Sequence, residues 1–204
     1  KELRHHPLAE VRETAAAILT ALQKKYSASF LHKTYPAEEE YLEKSVGALA
    51  YFDDPKITKF KFKSRLDLTG LAKHKKMLAT RPAKAELPNR LRAYGDIIFT
   101  FPLDFGSYRD LQRHRSAVQE MPLLTTQHGF YPWYLEQLPK NWRAKAEALL
   151  ERQEKSLAKL KTDEATRQYY VAMGYTVSVK MSCSLPAAVY IAELRSGDAV
   201  HPTL

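Results

Sequence analysis

The chain reads as an α+β protein, a mixed or antiparallel sheet flanked by helices. Three observations predict this. Residues 97–105 and 175–183 alternate apolar and polar side chains with period two, as half-buried strands do. Several other segments space their apolar residues at helical intervals. The two kinds follow one another without a regular strand–helix–strand order, which argues against a doubly wound parallel sheet. With 204 residues, 45% hydrophobic and 27% charged, the chain is long enough for a real core. Its composition is that of a globular protein and excludes a disordered chain, a collagen and a coiled coil.

Residues 7–25 place Leu8, Val11, Ala15, Ile18, Leu19 and Leu22 on one helical face behind Pro7. A second helix starts at Pro36 with Glu38, Glu39 and Glu40 at its positive end. Its buried stripe is Tyr41, Leu42, Val46, Leu49 and Phe52, and Asp53-Asp54-Pro55 breaks it. Residues 57–66 alternate, with Phe60, Phe62 and Leu66 inward and Lys59, Lys61, Lys63 and Arg65 outward, a strand with one wet, basic face. A weak helix over 68–78 and a loop over 80–89 follow. In the strand at 97–105, Pro102 cannot donate to a ladder, which predicts an edge position or a bulge. Gly106 and Ser107 end that strand, and Ser107 caps a helix running through Val118. Residues 141–161 form a helix with Trp142, Ala146, Leu149, Leu150, Leu157 and Leu160 on its apolar face. Thr162 caps the next helix. After the strand at 175–183, Ser184 caps a final helix with Pro186 in its first turn and Gly197 just past its end. The division is a helical part with one basic strand over 1–92 and a core over 93–204, within one domain.

Charge is concentrated. Residues 55–115 hold 15 Lys/Arg and 5 Asp/Glu, a net of +10, while the rest hold 17 and 18, a net of −1. Such a local field points to an anionic partner, a nucleotide, a nucleic acid or a phosphate-bearing cofactor. The lone Cys183 excludes a disulfide scaffold and a cysteine-rich zinc site, and it falls on the apolar face of a strand as an inert thiol. The polar start 1–6 precedes no apolar leader, and no run approaches a membrane span, so a cytoplasmic protein with no membrane partner is expected. His5 and His6 have no placed acidic or cysteine partner, which argues against a metal site. The segment 127–134 is dense in aromatic residues and reads as loop packing, the alternative being the wall of a ring-binding pocket. There is no Gly-rich phosphate loop, HExxH or nucleophile elbow.

One constellation carries chemistry. Gln112, Arg113, His114 and Arg115 fan around a helix that follows a strand containing Phe99-Thr-Phe101. Arg offers a planar fork of donors for phosphate or carboxylate, and His114 can titrate near neutral pH or stack on a ring. Gln119-Glu120 follows closely. A second unit holds the strand through Met181, a helix over 185–195 ending in Leu194-Arg195, and then His201. In this order the motifs resemble the flavin-dependent thymidylate synthases over roughly residues 93–201. In place of that family's later Ser and Arg stands Met121-Pro122-Leu123-Leu124.

The resemblance implies that Arg113, His114, Arg115 and Glu120 contact FAD and that Gln112 and Arg195 contact the deoxyuridylate (dUMP). It makes Arg195 the catalytic residue that activates the uracil ring. It also implies a homo-oligomer, with NADPH and a methylene-folate as co-substrates. On that reading Arg195 is committed to ligand, and replacing it leaves stability unchanged. The alternative is a non-catalytic module that binds a nucleotide or nucleic acid through residues 56–115, with Phe60 and Phe62 beside alternating lysines.

Overall fold

The two period-two segments become the long central strands of the sheet. The computed structural model describes residues 2–6, 8–30, 35–49 and 56–204. A 3-10 turn at Glu2–His5 leads into helix α1 (Ala9–Lys25) and, after another turn at Ser27–Phe30, into α2 (Pro36–Leu49). Glu39 of α2 ties these pieces together, taking Arg4 at 2.8 Å and His5 at 3.3 Å. Residue His6 accepts from the Leu8 amide, so His5 and His6 serve local structure. Among the described residues no cluster of His, Cys, Asp and Glu could hold a metal ion. The apolar stripe of α1 is not buried: none of its residues is, and Ile18 stays 55% exposed. Tyr41 of α2 is exposed too, while Phe52 and the break at 53–55 lie outside the described residues.

Strand β1 covers only Lys61–Ser64, shorter than its alternation predicts. Two short helices, α3 (Leu68–Ala72) and α4 (Lys75–Ala79), and a 3-10 turn at Asn89–Tyr94 precede β2 (Asp96–Asp104). Helix α5 (Phe105–Leu111), β3 (Ala117–Glu120), α6 (Pro132–Glu136), α7 (Lys140–Ala158) and α8 (Glu164–Arg167) follow. The chain closes with β4 (Thr176–Ser184) and α9 (Leu185–Arg195). The sheet is antiparallel throughout, in the order β1-β2-β4-β3. This bears out an α+β fold with an antiparallel sheet.

Register explains which residues are inside. Ile97, Phe99, Phe101 and Leu103 of β2 pair with Cys183, Met181, Val179 and Val177 of β4, so one face is continuously apolar. Tyr108 and Leu111 of α5, Leu157 of α7 and Ile191 of α9 join that face in the core. Burial pushes the Cys183 thiol up to about 11, as an inert core cysteine requires. The other face carries Thr176, Ser178, Lys180 and Ser182 and is polar.

Strand β2 is interior and its register with β4 runs through Pro102 without a bulge, so the proline is accommodated in another way. The Arg65 amide donates to the Asp96 carbonyl at 2.9 Å, so even-numbered β2 residues direct their backbone groups towards β1. The β1 ladder ends at Lys61 opposite Thr100. Pro102 therefore lacks its donor where no strand asks for one. Phe60 and Phe62 lie on the apolar side near Phe99 and Phe101, but they stay 60% and 65% exposed, since the helices cover the β4 half of that face.

The helix expected from Ser107 to Val118 ends at Leu111. Its cap is Asp104, whose carboxylate accepts from the Ser107 amide at 2.9 Å. Residues 112–116 are a turn, and 117–120 pair with β4. Helix α7 buries only Leu157 and leaves Trp142 and Leu149 exposed. The cap of α8 is Asp163 in place of Thr162. Among the described residues no helix is long and apolar enough to cross a membrane.

Candidate functional site

The turn after α5 decides where each expected site residue goes. Had the helix continued, Gln112 to Arg115 would fan around it. Instead the chain bends, with the His114 amide on the Leu111 carbonyl and the Ala117 amide on the His114 carbonyl. The bend drives His114 inward, to 6% exposure, and leaves Gln112, Arg113 and Arg115 outside. Arg113 pairs with Asp110 at 3.3 Å, three residues back.

His114 meets Arg195. The Arg195 Nε–H donates to His114 Nε2 at 3.0 Å, and its Nη2 donates to the Asp110 carbonyl at 2.7 Å. An acceptor at Nε2 places the imidazole proton on Nδ1. Burial, reinforced by the Arg195 charge, holds the His114 pKa below its usual value, while Asp110 opposes weakly. The Tyr190 ring stands edge-on to His114 at 6.0 Å. Thus Arg195 locks the C-terminal end of α9 to the last turn of α5 and satisfies an orphan carbonyl there.

Stability is therefore expected to depend on Arg195, contrary to the sequence expectation. Arg195→Ala strands a buried acceptor on His114 and a helix-end carbonyl, a loss of about 2 kcal/mol. Arg195→Lys recovers one of the two bonds and loses less. Urea unfolding of the three proteins measures this, and equal midpoints for parent and Arg195→Ala would refute it.

His114 adds a pH dependence. With the folded pKa below the unfolded one, the unfolded chain takes the proton first. The stabilisation is complete above the unfolded value near pH 6.5 and is lost as pH falls through the folded value. Melting curves between pH 7 and pH 5 should show a fall that His114→Gln flattens.

Glu120 lies elsewhere. Neighbouring strand residues point to opposite faces, so Gln119 turns towards α5 while Glu120 turns to the polar face. Gln119 donates to the Leu111 carbonyl at 2.7 Å, and Glu120 pairs with Lys180 of β4 at 2.9 Å. The residues expected to hold FAD thus split between an enclosed histidine, two outward arginines and the far face of the sheet. Within one chain they do not assemble a flavin pocket.

The structure builds a different cleft beside them. Arg81 pairs with Glu193 of α9 through both guanidinium ends and holds the Ala85 carbonyl at 2.6 Å, which pins the loop before Asn89 against α9. The fully buried Leu91 anchors the Asn89–Tyr94 turn. Between them opens a cleft of about 490 Å³ whose walls include Asn89, Arg92, Ser116, Pro186 and Tyr190. Arg92 and Tyr190 carry no local signature in the sequence, since their meeting depends on a 98-residue separation closing in space. Arg81 and Glu193 were missed for the same reason.

No family model matches the chain. It is 38% identical over 106 residues to a UPF0159 protein of Chlamydia pneumoniae, covering 50% of this chain and 19% of that protein. To a UPF0159 protein of Chlamydia muridarum it is 31% identical over 108 residues, 52% of this chain and 20% of the relative. To one of Thermoplasma acidophilum it is 29% identical over 133 residues, 64% of this chain and 25% of the relative. The chain thus spans a fifth to a quarter of the length of the curated relatives it matches. Those relatives are named UPF0159 proteins and not flavin-dependent thymidylate synthases, which overturns the resemblance and the methylating function drawn from it. They lend no support to the alternative nucleotide- or nucleic-acid-binding module either, and the chain stands as similar to one part of the UPF0159 proteins.

Proposed function

We propose that this chain is a small-molecule-binding module of a longer protein, and that its ligand sits in the cleft between the Asn89–Tyr94 turn and α9. The ligand carries a flat ring and one anionic group. The observation behind this is that Arg92 of the Asn89–Tyr94 turn and Tyr190 at the middle of α9 line the same cleft, together with Pro186 and Ala187 of the first turn of α9. Arg92 supplies a guanidinium, and the first turn of α9 adds its partial positive charge. Asn89 and Ser116 offer further polar atoms, and Glu86 also lines the cleft, so the anionic group is placed by Arg92 and the first turn of α9 against one like charge. Tyr190 presents an exposed face to a ring while its neighbour His114 fixes it from the side. The Ser184 hydroxyl at the α9 N-cap is buried and has no partner among the described residues. The volume is within the range of small-molecule sites.

Phenyl phosphate joins the two features, and inorganic phosphate and benzyl alcohol each carry one. Calorimetric titration should show saturable binding of phenyl phosphate, weaker binding of either piece, and a loss of about tenfold or more in Arg92→Ala, the scale of one charged hydrogen bond. No saturation at millimolar phenyl phosphate, or unchanged affinity in Arg92→Ala, overturns the reading.

A further inference from the structure

A second cavity, of about 440 Å³, lies between the loop 122–127, α7 and α8. Its apolar wall is Leu124, Leu157 and Val171, each less than a tenth exposed. Three charged side chains share the lining: Glu154 of α7, and Glu164 and Arg167 of α8.

These charges are not spent on one another. Arg167 donates through Nη2 to the Thr162 carbonyl at 2.9 Å and more weakly to that of Leu160. Its Nε is buried without a partner, and Arg167 forms no ion pair among the described residues. Glu154 accepts the Tyr175 phenol on one oxygen at 3.0 Å, which leaves the second oxygen without a protein donor among the described residues. Glu164 has no side-chain partner among the described residues. The lining offers the half-buried Arg167 guanidinium to a carboxylate, the two solvent-exposed glutamates to a cation, and an aliphatic wall to an apolar body.

We propose that this cavity binds a free apolar α-amino acid. The class places a carboxylate, an ammonium and a hydrocarbon side chain on one carbon, which is the set the wall demands. The volume sits towards the lower end of small-molecule sites, which suits a ligand of this size better than a drug-sized one. A plain amine would leave Arg167 without a carboxylate, and a plain fatty acid would draw nothing from the two exposed glutamates. The inference is independent of the cleft at α9, and phenyl phosphate binding there is a separate measurement.

L-Leucine is the probe. Titrated into the intact chain, it should bind saturably at low millimolar concentrations or below and shift amide resonances in the loop 122–127 and α8. N-acetyl-L-leucine, which lacks the ammonium, and L-leucinamide, which lacks the carboxylate, should each bind about tenfold or more weakly, one decade per lost charged contact. These analogues read the site on the unaltered protein. In parallel, Glu154→Gln keeps an acceptor for Tyr175 while removing the charge, and it should weaken L-leucine without moving the melting temperature. Arg167→Ala should abolish binding, with a folded spectrum checked because the Thr162 carbonyl loses its donor. Absence of saturation by L-leucine overturns the proposal. So does leucinamide or N-acetyl-leucine binding as tightly as L-leucine, which would show that the charges play no part.

Discussion

Gly95→Ala is expected to cost about 3 kcal/mol, a large share of what holds a domain of this size together. Gly95 joins the Asn89–Tyr94 turn to β2 with φ 106° and ψ −168°. That region is essentially reserved for glycine, and a side chain there costs of order 1–3 kcal/mol through strain alone. Space adds to the cost. A Cβ at Gly95 would stand 2.3 Å from the Arg65 carbonyl oxygen, a backbone atom with no rotamer to escape through. Arg65 is itself held, since its amide donates to Asp96 where β1 joins β2. Relief would require opening the β1–β2 pairing. Gly129→Ala is the control: φ is also positive there, at 76°, but nothing lies within 4 Å of the added Cβ. It should lose about 1 kcal/mol, the strain of a left-handed residue without the clash. Urea midpoints at constant m-value give both numbers, and a Gly95→Ala loss no larger than that of Gly129→Ala would mean that β1 yields freely.

The contrast between these glycines shows what a sequence can and cannot hold. Alternation over 97–105 and 175–183 is a local property of the backbone, so β2 and β4 were legible, as were α7 from its 3.6-residue spacing and α9 from Pro186 at its start and Gly197 past its end. β3 was not. Ala117, Val118, Gln119 and Glu120 suit a helix as well as a strand, and what makes them a strand is β4 lying alongside. The helix stop at Leu111 was missed for a related reason. No Gly or Pro follows it, and the bend is held by Gln119 reaching back from β3 to the Leu111 carbonyl. Phe60 and Phe62 alternated correctly, yet a period of two cannot say whether anything covers the apolar side.

The site was legible only as a list of polar residues. His114 and Arg195 were both singled out, but 81 positions separate them, and nothing local says that they bond to each other. Glu120 fell on the wrong face because one residue in a strand reverses direction. Arg92 and Tyr190 had no signal at all, since an exposed arginine in a turn and a tyrosine in a helix are ordinary until they share a cleft.

Asp104→Ala is expected to destabilise by about 3 kcal/mol, and its partners allow that figure to be taken apart. Asp104 is fully buried at the end of β2, where one carboxylate oxygen accepts both the Ser107 amide and the Tyr134 hydroxyl, each at 2.9 Å. Beside it, Ser107 bonds to Thr203, and Thr203 to His201 at 2.8 Å, which draws the chain's last residues onto the start of α5. Removing the carboxylate deletes the α5 N-cap, worth about 0.5–2 kcal/mol, and takes from the half-buried Tyr134 phenol its acceptor, a loss of about 1–3 kcal/mol that Ser107 and Thr203 beside the hydroxyl reduce. The upper sum is not reached, because the second carboxylate oxygen has no partner among the described residues and its desolvation cost is returned. Asp104→Asn keeps an acceptor for both donors and should lose about 1 kcal/mol. Tyr134→Phe removes the phenol alone. If the bond is what matters, Asp104→Ala and Tyr134→Phe combine to less than their sum, by about 1 kcal/mol or more in a double-mutant cycle. Full additivity would leave the cap as the whole effect. Alkaline titration separates the charge from the bond. Burial first, and then the bond and negative charge of Asp104, raise the Tyr134 pKa above its ordinary value near 10. The stabilisation is therefore intact below that value and is lost as pH rises through the folded one. In Asp104→Asn the charge is gone while the burial remains, so Tyr134 should ionise at lower pH than in the parent, still above a free tyrosine. An unshifted Tyr134 titration would show that burial alone sets it.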